Sequence, residues 1–567
     1  MDAAAGRAEF RTYADVEEFF NDMSSEGPSA QDRIDFIVPY IISLLPPPFL
    51  PPPDAADASD SEDEHFSLTS SESSDSDDEG AAAVVLAAQG DGQDHASRLS
   101  NDLLSNVISR LPTKEAARTM VLSKRWRCVW PATPLLVDDA HLRYPGASRE
   151  IPGFQTVRAL SRCVAAHPGP VRAVRVTRTS FHQQEYALQR LVASLAAKNV
   201  KDLVLFNRPW PLNMPLPDEI LRCASLCRLY LGVWHFPTAH RPAFPNLTEL
   251  GLFHTIIEDK DIDALLARCH KLKILSFVMT YNADSRIRVR SRSLTALIEW
   301  RASLEEVVVD GAPCLERLLF DSIGEQRFVK IVQAPRLEVL GFLDLQLHEL
   351  QIGGIVIKAG MNVRPRAMLP SLKIFAVKVR FSDHTEVTML PTLLRFFPSL
   401  ETLHIMSMPG SADIVDRAEF WESLGSSDCL RSHLKTLVLH GFKNLTQELS
   451  FLNYILEKGK VLKALRIVRS ELDDVLAGVG PTTKAHELHE FAKVESVVEV
   501  GPVSGFSLER DAPSSESSGG EISVCPASRC WSFQRAIDLS VKDPFYAPRH
   551  DVDWITCRIT EDESLCF

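Results

Sequence analysis

The sequence predicts an α/β chain. Three short helices come first, then an irregular solenoid whose strands form a parallel sheet with helices and loops on its convex side. A disordered acidic arm precedes both. Three observations carry this prediction. Apolar residues fall at helical spacing in three bursts within residues 98–130. From Val200 onward the frame apolar-x-x-apolar-x-apolar occurs twelve times. Residues 54–80 hold eleven Asp and Glu with no Lys or Arg, a composition that repels itself and buries no apolar area.

Residues 1–97 form the arm. Residues 13–23 and 32–45 carry short amphipathic patterns, and the proline run PPPFLPPP at 46–53 favours extended polyproline II as a stiff spacer. In the helical segment, Leu103, Leu104, Val107, Ile108 and Leu111 recur on one face of a 3.6-residue period. Ser100 or Asn101 can cap that helix, and Pro112 stops it. Thr113 is the expected N-cap of a second helix, with Ala116, Ala117, Met120 and Val121 repeating the spacing. Ser123 can cap a third, which sets Trp126 and Trp130 four residues apart on one face. A segment below roughly 40 residues seldom sustains a core without disulfides, metal or a partner. A neighbouring domain or a partner surface must therefore complete this one.

The repeated frame starts at Val200-Leu203-Leu205, Leu226-Leu229-Leu231, Leu247-Leu250-Leu252, Leu272-Leu275-Phe277, Leu304-Val307-Val309 and Leu315-Leu318-Phe320. It continues at Leu337-Leu340-Phe342, Leu347-Leu350-Ile352, Leu372-Phe375-Val377, Leu400-Leu403-Ile405, Leu434-Leu437-Leu439 and Leu462-Leu465-Ile467. Most middle positions lie 21 to 34 residues apart, near the period of leucine-rich repeats, in which each unit gives one strand to a parallel sheet. Two intervals, of 11 and 10 residues, are too short for a helix and predict returns through tight loops. The longer units have room for helices at 259–269 and 390–397. The predicted division is 1–97 arm, 98–135 helical module, 136–198 connector and cap, 199–440 repeats, 441–470 last repeat and 471–567 partly ordered tail.

The helical module resembles the F-box of plant proteins. Leu99, Leu103, Leu104, Ile108, Ser109, Leu111, Pro112, Ala117, Val121, Leu122, Ser123, Trp126 and Trp130 stand in register with that motif. Ser100 departs from it, since the family usually has proline there. Residues 441–467, GFKNLTQELSFLNYILEKGKVLKALRI, are similar to the FBD motif, with its Glu-Leu-x-Phe-Leu start. Leu449, Leu452, Ile455 and Leu456 are expected to form the helix face of that unit, and residues 462–467 the last strand. The combination resembles the plant F-box/FBD/LRR-repeat family. The resemblance implies the substrate-recognition subunit of an SCF (Skp1-cullin-F-box) ubiquitin ligase, docked on a Skp1-type adaptor and through it on a cullin. The implied adaptor-binding residues are Leu99, Leu103, Leu104, Val107, Ile108, Leu111, Pro112, Val121, Leu122, Ser123, Trp126 and Trp130. The alternative is a leucine-rich-repeat interaction scaffold with no role in ubiquitination.

Composition narrows the other classes. Setting residues 54–80 aside leaves −3 of the net charge of −14, while residues 98–130 carry seven basic side chains against Asp102 and Glu115. Such a patch fits a nucleic-acid footprint, a solvated face or the complement of an acidic partner. The resemblance favours the last, and nucleic acid is not expected. Eleven cysteines without C-x-x-C spacing fit reduced thiols rather than disulfides or zinc. The first residues, MDAAAGRAEF, show no signal peptide, and no stretch reaches the roughly 20 apolar residues of a membrane span. Cytoplasm or nucleus is the expected location. There is no P-loop, G-x-S-x-G, H-E-x-x-H or dinucleotide fingerprint, so no catalytic residue, cofactor or metal is expected. Cys269-His270 reads as helix-end packing. For the unidentified protein substrate, the x positions of the repeats are candidates: Tyr230, Val233, Trp234, Phe253, His254, Met279, Tyr281, His404 and Met406. Arg286, Arg288, Arg290 and Arg292 alternate in RIRVRSR, which in an extended chain shares one face and suits a phosphate or an acidic degron.

Overall fold

The computed structural model describes residues 41–50, 98–142, 153–207, 214–237, 244–282, 286–302, 304–321, 326–361, 368–410, 418–443, 445–469, 496–500 and 532–545. The pattern at 13–23, the acidic run at 54–80 and residues 51–53 of the proline run lie outside the described residues. The chain divides into two compact units, Pro47–Arg208 and Met1–Pro46 with Pro209–Phe567.

In the first unit the three predicted helices form: α1 Asn101–Ile108, α2 Thr113–Arg118 and α3 Lys124–Ala132, with a 3-10 turn at Thr119–Val121. Ser100 caps α1, its hydroxyl accepting the Leu103 N–H. The residue at the cap of α2 is Pro112, not Thr113. Thr113 is already helical, and its hydroxyl donates to the Leu136 carbonyl at 3.0 Å, tying α2 to the first strand. That strand, β1 Leu135–Asp138, is followed by α4 Gly153–Ala166, β2 Val171–Val176, α5 Glu185–Ala197 and β3 Asp202–Phe206. The three strands pair in parallel, with Leu136 opposite Ala173 and Val174 opposite Leu203. Leu136 and Ala173 also pack with Leu50 in a small buried cluster. Asp139 closes the turn beyond β2: its buried carboxylate accepts the Thr177 and Arg178 N–H groups and the Thr179 hydroxyl.

The second unit contains β4 Arg228–Gly232, β5 Glu249–Phe253, β6 Ile256–Ile257, α6 Asp259–Arg268, β7 Ile274–Val278, β8 Tyr281–Asn282, β9 Arg286–Val289, β10 Ala296–Trp300, β11 Glu306–Asp310 and β12 Arg317–Asp321. It continues with β13 Arg327–Gln333, β14 Val339–Asp344, β15 His348–Ile352, β16 Ile355–Ile357, β17 Ile374–Val379, α7 His384–Val387, α8 Met389–Phe396 and β18 Thr402–Ser407. Then come α9 Ala418–Glu422, α10 Asp428–Ser432, β19 Thr436–Phe442, α11 Thr446–Lys458, β20 Ala464–Arg469, β21 Ser496–Val500 and α12 Phe533–Ile537. The long sheet of this unit is parallel throughout, in the order β4-β5-β7-β10-β12-β14-β17-β18-β19-β20-β21. The middle positions of the repeats stand in register across it, Leu250 opposite Leu275 and Leu403 opposite Leu437. This is the expected leucine-rich-repeat architecture.

Two features depart from the prediction. Every one of the twelve frames is a strand, but Leu304-Val307-Val309 and Leu347-Leu350-Ile352 fall in β11 and β15 of a second, five-stranded sheet, β16-β15-β13-β11-β9. From β9 to β15 the chain alternates between the two sheets, so its return segments are strands. The 11- and 10-residue intervals are half-turns of this winding, not short repeats closed by loops. The long-sheet strand that the frame misses here is β10, where Leu294 and Leu297 are followed by Glu299 in the apolar position. Glu299 is 1% exposed and pairs with Arg327, 2% exposed, on β13. Arg327 also donates to the carbonyls of Leu304 at 2.7 Å and Ala302 at 3.1 Å, while Glu299 accepts the Ala302 N–H at 2.8 Å. With every polar group engaged, a charged pair can occupy a repeat's interior. Second, β20 is not the final strand: β21 pairs with it in parallel, beyond the predicted last repeat.

Candidate interaction surfaces

The helical module has two apolar stripes on one short helix. Leu104 and Ile108 are buried, each 1% exposed, whereas their neighbours Leu103 and Val107 are 53% and 45% exposed. The turn after α2 repeats the exposure, with Val121 at 81% and Leu122 at 67%. Ser123 is exposed, and Leu99, Leu111, Pro112 and Trp126 are half-buried. Trp130 is buried, its ring meeting His167 edge-on at 4.9 Å. The twelve predicted docking residues are therefore of two kinds. Leu104, Ile108 and Trp130 are buried in the module's own core. The others reach its surface. Six of the seven basic side chains, all but the half-buried Arg125, are exposed around them. Arg125 donates to the Asn101 side chain at 2.8 Å and to the Leu99 carbonyl, joining α3 to the start of α1.

The repeat sheet behaves differently. Strands of a solenoid normally bury one face and leave the other open. Here β7, β10, β12 and β14 are buried at every position. The segment 532–545 lies on the face opposite the repeat leucines, and a second segment, 41–45, meets it. Residues 41–45 bring the buried Ile41, Leu44 and Leu45. Residues 532–545 bring Phe533, Ala536 and Phe545, all 0% exposed. The two meet where the Gln534 amide donates to the Ser43 carbonyl at 2.9 Å and the Leu45 carbonyl at 3.3 Å.

Each anchor of the C-terminal segment has a receptor on the sheet. The Phe533 ring lies edge-on between Phe253 on β5 at 5.6 Å and Trp300 on β10 at 5.7 Å. Phe545 packs on Phe342 of β14 at 4.9 Å and His404 of β18 at 5.6 Å. Between them Arg317 of β12, 5% exposed, donates to the carbonyls of Ala536 at 3.4 Å, Asp538 at 2.9 Å, Leu539 at 3.2 Å and to that of Val541. His404 joins Asp543 Oδ2 through Nε2 at 3.0 Å and His440 through Nδ1 at 3.1 Å. Burial pushes His440 well below the usual histidine range, so it stays neutral. For Asp543 burial is the largest single influence and raises the carboxyl. The His404 charge and hydrogen bond and the Phe545 N–H together outweigh it and hold Asp543 below its ordinary value.

Most of the substrate candidates are covered in the chain itself. Tyr230, Trp234, Phe253, His254 and His404 are at most 2% exposed, as is Met406; Val233 is buried and Met279 half-buried. Tyr281 lies in β8, outside the long sheet. Arg286, Arg288, Arg290 and Arg292 are all exposed, as alternation requires, but β9 belongs to the five-stranded sheet. Arg286 pairs with Glu306, and Arg290 with Asp310 at 2.6 Å, so half of the predicted clamp is already neutralised. Sequence reading missed Arg317, Trp300, Phe342, His440, Phe533, Asp543 and Phe545. The available signals were a basic residue opening an otherwise apolar strand (RLLF) and aromatic residues in a polar tail.

The last repeat unit is built on Glu448. Its buried carboxylate accepts the Ser407 hydroxyl at 2.6 Å and the Leu445 N–H at 2.9 Å, which fixes the start of α11 against β18. Leu452 and Ile455 are buried as expected. Leu449 and Leu456 are only half-buried, and Phe451 and Tyr454 complete the face instead. Burial raises the Cys223 and Cys429 thiols to about 12 and Cys269 to about 11. This is the opposite of what an activated nucleophile needs, and it supports packing as the role of Cys269. Among the described residues no helix is long and apolar enough to cross a membrane.

Three family models match the chain. The F-box domain model matches residues 96–136 and the FBD model 423–467. A model described as the LRR repeats of the FBD-associated F-box protein At5g56370 matches 188–405. The F-box/FBD/LRR-repeat protein At1g13570 of Arabidopsis thaliana is 23% identical over 401 residues, 68% of this chain and 93% of that protein. The F-box/FBD/LRR-repeat protein At5g22660 of the same plant is 22% identical over 482 residues, covering 74% and 98%. F-box/LRR-repeat protein 13 is 24% identical over 451 residues, covering 69% and 92%.

Proposed function

Because the chain belongs to the F-box/FBD/LRR family of plant proteins, we propose that it is the substrate receptor of an SCF ubiquitin ligase. In this reading the helical module at 98–135 docks on a Skp1-type adaptor and the repeat unit recruits the target protein. The observation that carries it is the exposure of Leu103, Val107, Val121 and Leu122 within one small helical module. Large apolar side chains left open on a helix whose other stripe is buried mark a surface that is completed by a partner. Leu99, Leu111, Pro112, Ser123 and Trp126 extend that surface, and the exposed basic residues suit an acidic partner and speed its approach. The chain contributes proximity. Ubiquitin transfer belongs to the other subunits, and a target held near them reacts at a raised effective concentration.

Co-purification of the full chain with a Skp1-type adaptor tests this reading. Wild type is expected to retain the adaptor, and Leu103→Asp with Val121→Asp to lose it while keeping its unfolding midpoint. Failure of wild type to bind any such adaptor would leave the interaction-scaffold reading in its place.

A further inference from the structure

We infer that the outer face of the long sheet, from β5 to β19, is a peptide-binding groove whose resident occupant, Ser532–Phe545, is displaced by a target segment of the same chemistry: two aromatic anchors twelve positions apart, with a carboxylate two positions before the second. The inference rests on the receptor reading above and supplies the substrate class that it lacks.

Several features separate this segment from an ordinary part of the core. Its backbone N–H groups bond within the segment, Ala536 to Ser532, Asp538 to Gln534 and Val541 to Asp538, and its regular structure is one five-residue helix. Its attachments to the sheet instead run through side chains: Phe533, Asp543 and Phe545 of the segment, and Arg317 reaching from β12. Arg317 grips carbonyl oxygens, which every peptide possesses, and so holds a turn without reading its sequence. Reading is left to three places: the slot between Phe253 and Trp300, the Phe342–His404 surface, and the His404 ring that meets Asp543. A charged arginine and a pair of histidines are costly to bury as structural filler, because each demands a polar partner. They suit a site that must recognise a carboxylate and a polar backbone.

Occupation in cis sets the threshold for binding in trans. A tethered segment competes at an effective concentration of up to about a millimolar. The apparent affinity for a free target then falls by the fraction of molecules in which the groove is open. Only a segment that satisfies all three reading positions displaces the resident one.

The test uses the full chain and a fluorescein-labelled peptide spanning residues 532–545. A tail variant, Phe533→Ser with Asp543→Asn and Phe545→Ser, empties the groove. It is expected to bind the peptide at least tenfold more tightly than wild type does. Adding Arg317→Gln, or replacing both phenylalanines of the peptide by serine, is expected to remove that binding. A peptide scrambled everywhere except at the two phenylalanines and the aspartate is expected to bind within a few-fold. Equal affinity of wild type and tail variant, or no binding by a tail variant that still melts cooperatively, overturns the inference. Loss of the cooperative transition in the tail variant overturns it too, by making the segment a fixed part of the core. Adaptor capture measured on the same samples reports on the receptor reading separately, since that surface lies in the other unit.

Discussion

The two candidate surfaces are opposite in state. On the helical module Leu103, Val107, Val121 and Leu122 stand in solvent, whereas on the repeat sheet Phe253, Trp300, Phe342 and His404 are covered by the chain's own C-terminal residues. What separates them is a covalently attached occupant. A surface left open in the free chain suits a partner that stays bound. A surface already occupied suits one that must compete, which makes selectivity a difference between two affinities.

The largest effect expected from separating the two units comes from the interior of the repeats. Glu299→Ala strands Arg327 without a counter-charge, which typically costs about 3–5 kcal/mol. The urea midpoint of the repeat unit should fall accordingly while adaptor capture by the folded chain is unchanged; joint loss would show that the two surfaces depend on one fold. Next is the open surface itself. Leu103→Asp with Val121→Asp should weaken adaptor binding by about 2 kcal/mol or more, as for central interface anchors, and should leave stability within about 0.5 kcal/mol. Titration calorimetry and thermal melting on the same preparation read both.

Acid should act on the repeat unit more mildly. Burial holds His254 and His348 at about 3, with the Arg327 charge adding to the effect on His348. The unfolded chain therefore takes up protons below about pH 6.5 that the folded chain refuses. Stability from these two groups is complete above that pH and is lost as the pH falls toward 3. Glu386, raised to about 7 by burial, works in the opposite sense, so its contribution fades as the pH rises. His254→Gln should flatten the dependence between about pH 6 and pH 4 by at most about 1.4 kcal/mol per pH unit, measured by urea unfolding across that range. Asp543, held low, keeps its bond to His404 throughout and releases it only below the ordinary carboxylate range. Exchange of the 532–545 amides should stay slow down to about pH 4. The smallest effect is expected at Arg290, which is 61% exposed beside Asp310: Arg290→Ala should leave both the midpoint and peptide binding unchanged.

The helices and strands were legible because their signal is local. A 3.6-residue or two-residue apolar period is needed to present one face to a core, so α1, α11 and all twelve repeat strands can be read from spacing alone. The caps were half legible. Ser100 performs as its hydroxyl allows, whereas Thr113 is drawn to the Leu136 carbonyl by a strand that the local sequence does not reveal. Burial was legible only in part. Leu103 and Leu104 are the same residue type one position apart, and the direction of the core, set by β1 and the neighbouring helices, decides which one is exposed.

By itself, then, the sequence determined the helical module, the parallel repeats and the terminal FBD unit. Tertiary structure decided that β11 and β15 lie in a second sheet, that Glu299 and Arg327 can share an interior, and that Ser532–Phe545 covers the face expected to be open. The physical reason is common to all three. Each depends on which distant segments meet, Glu299 with Arg327 or Arg317 with the carbonyls of 536–541, and periodicity carries no information about such long-range pairings.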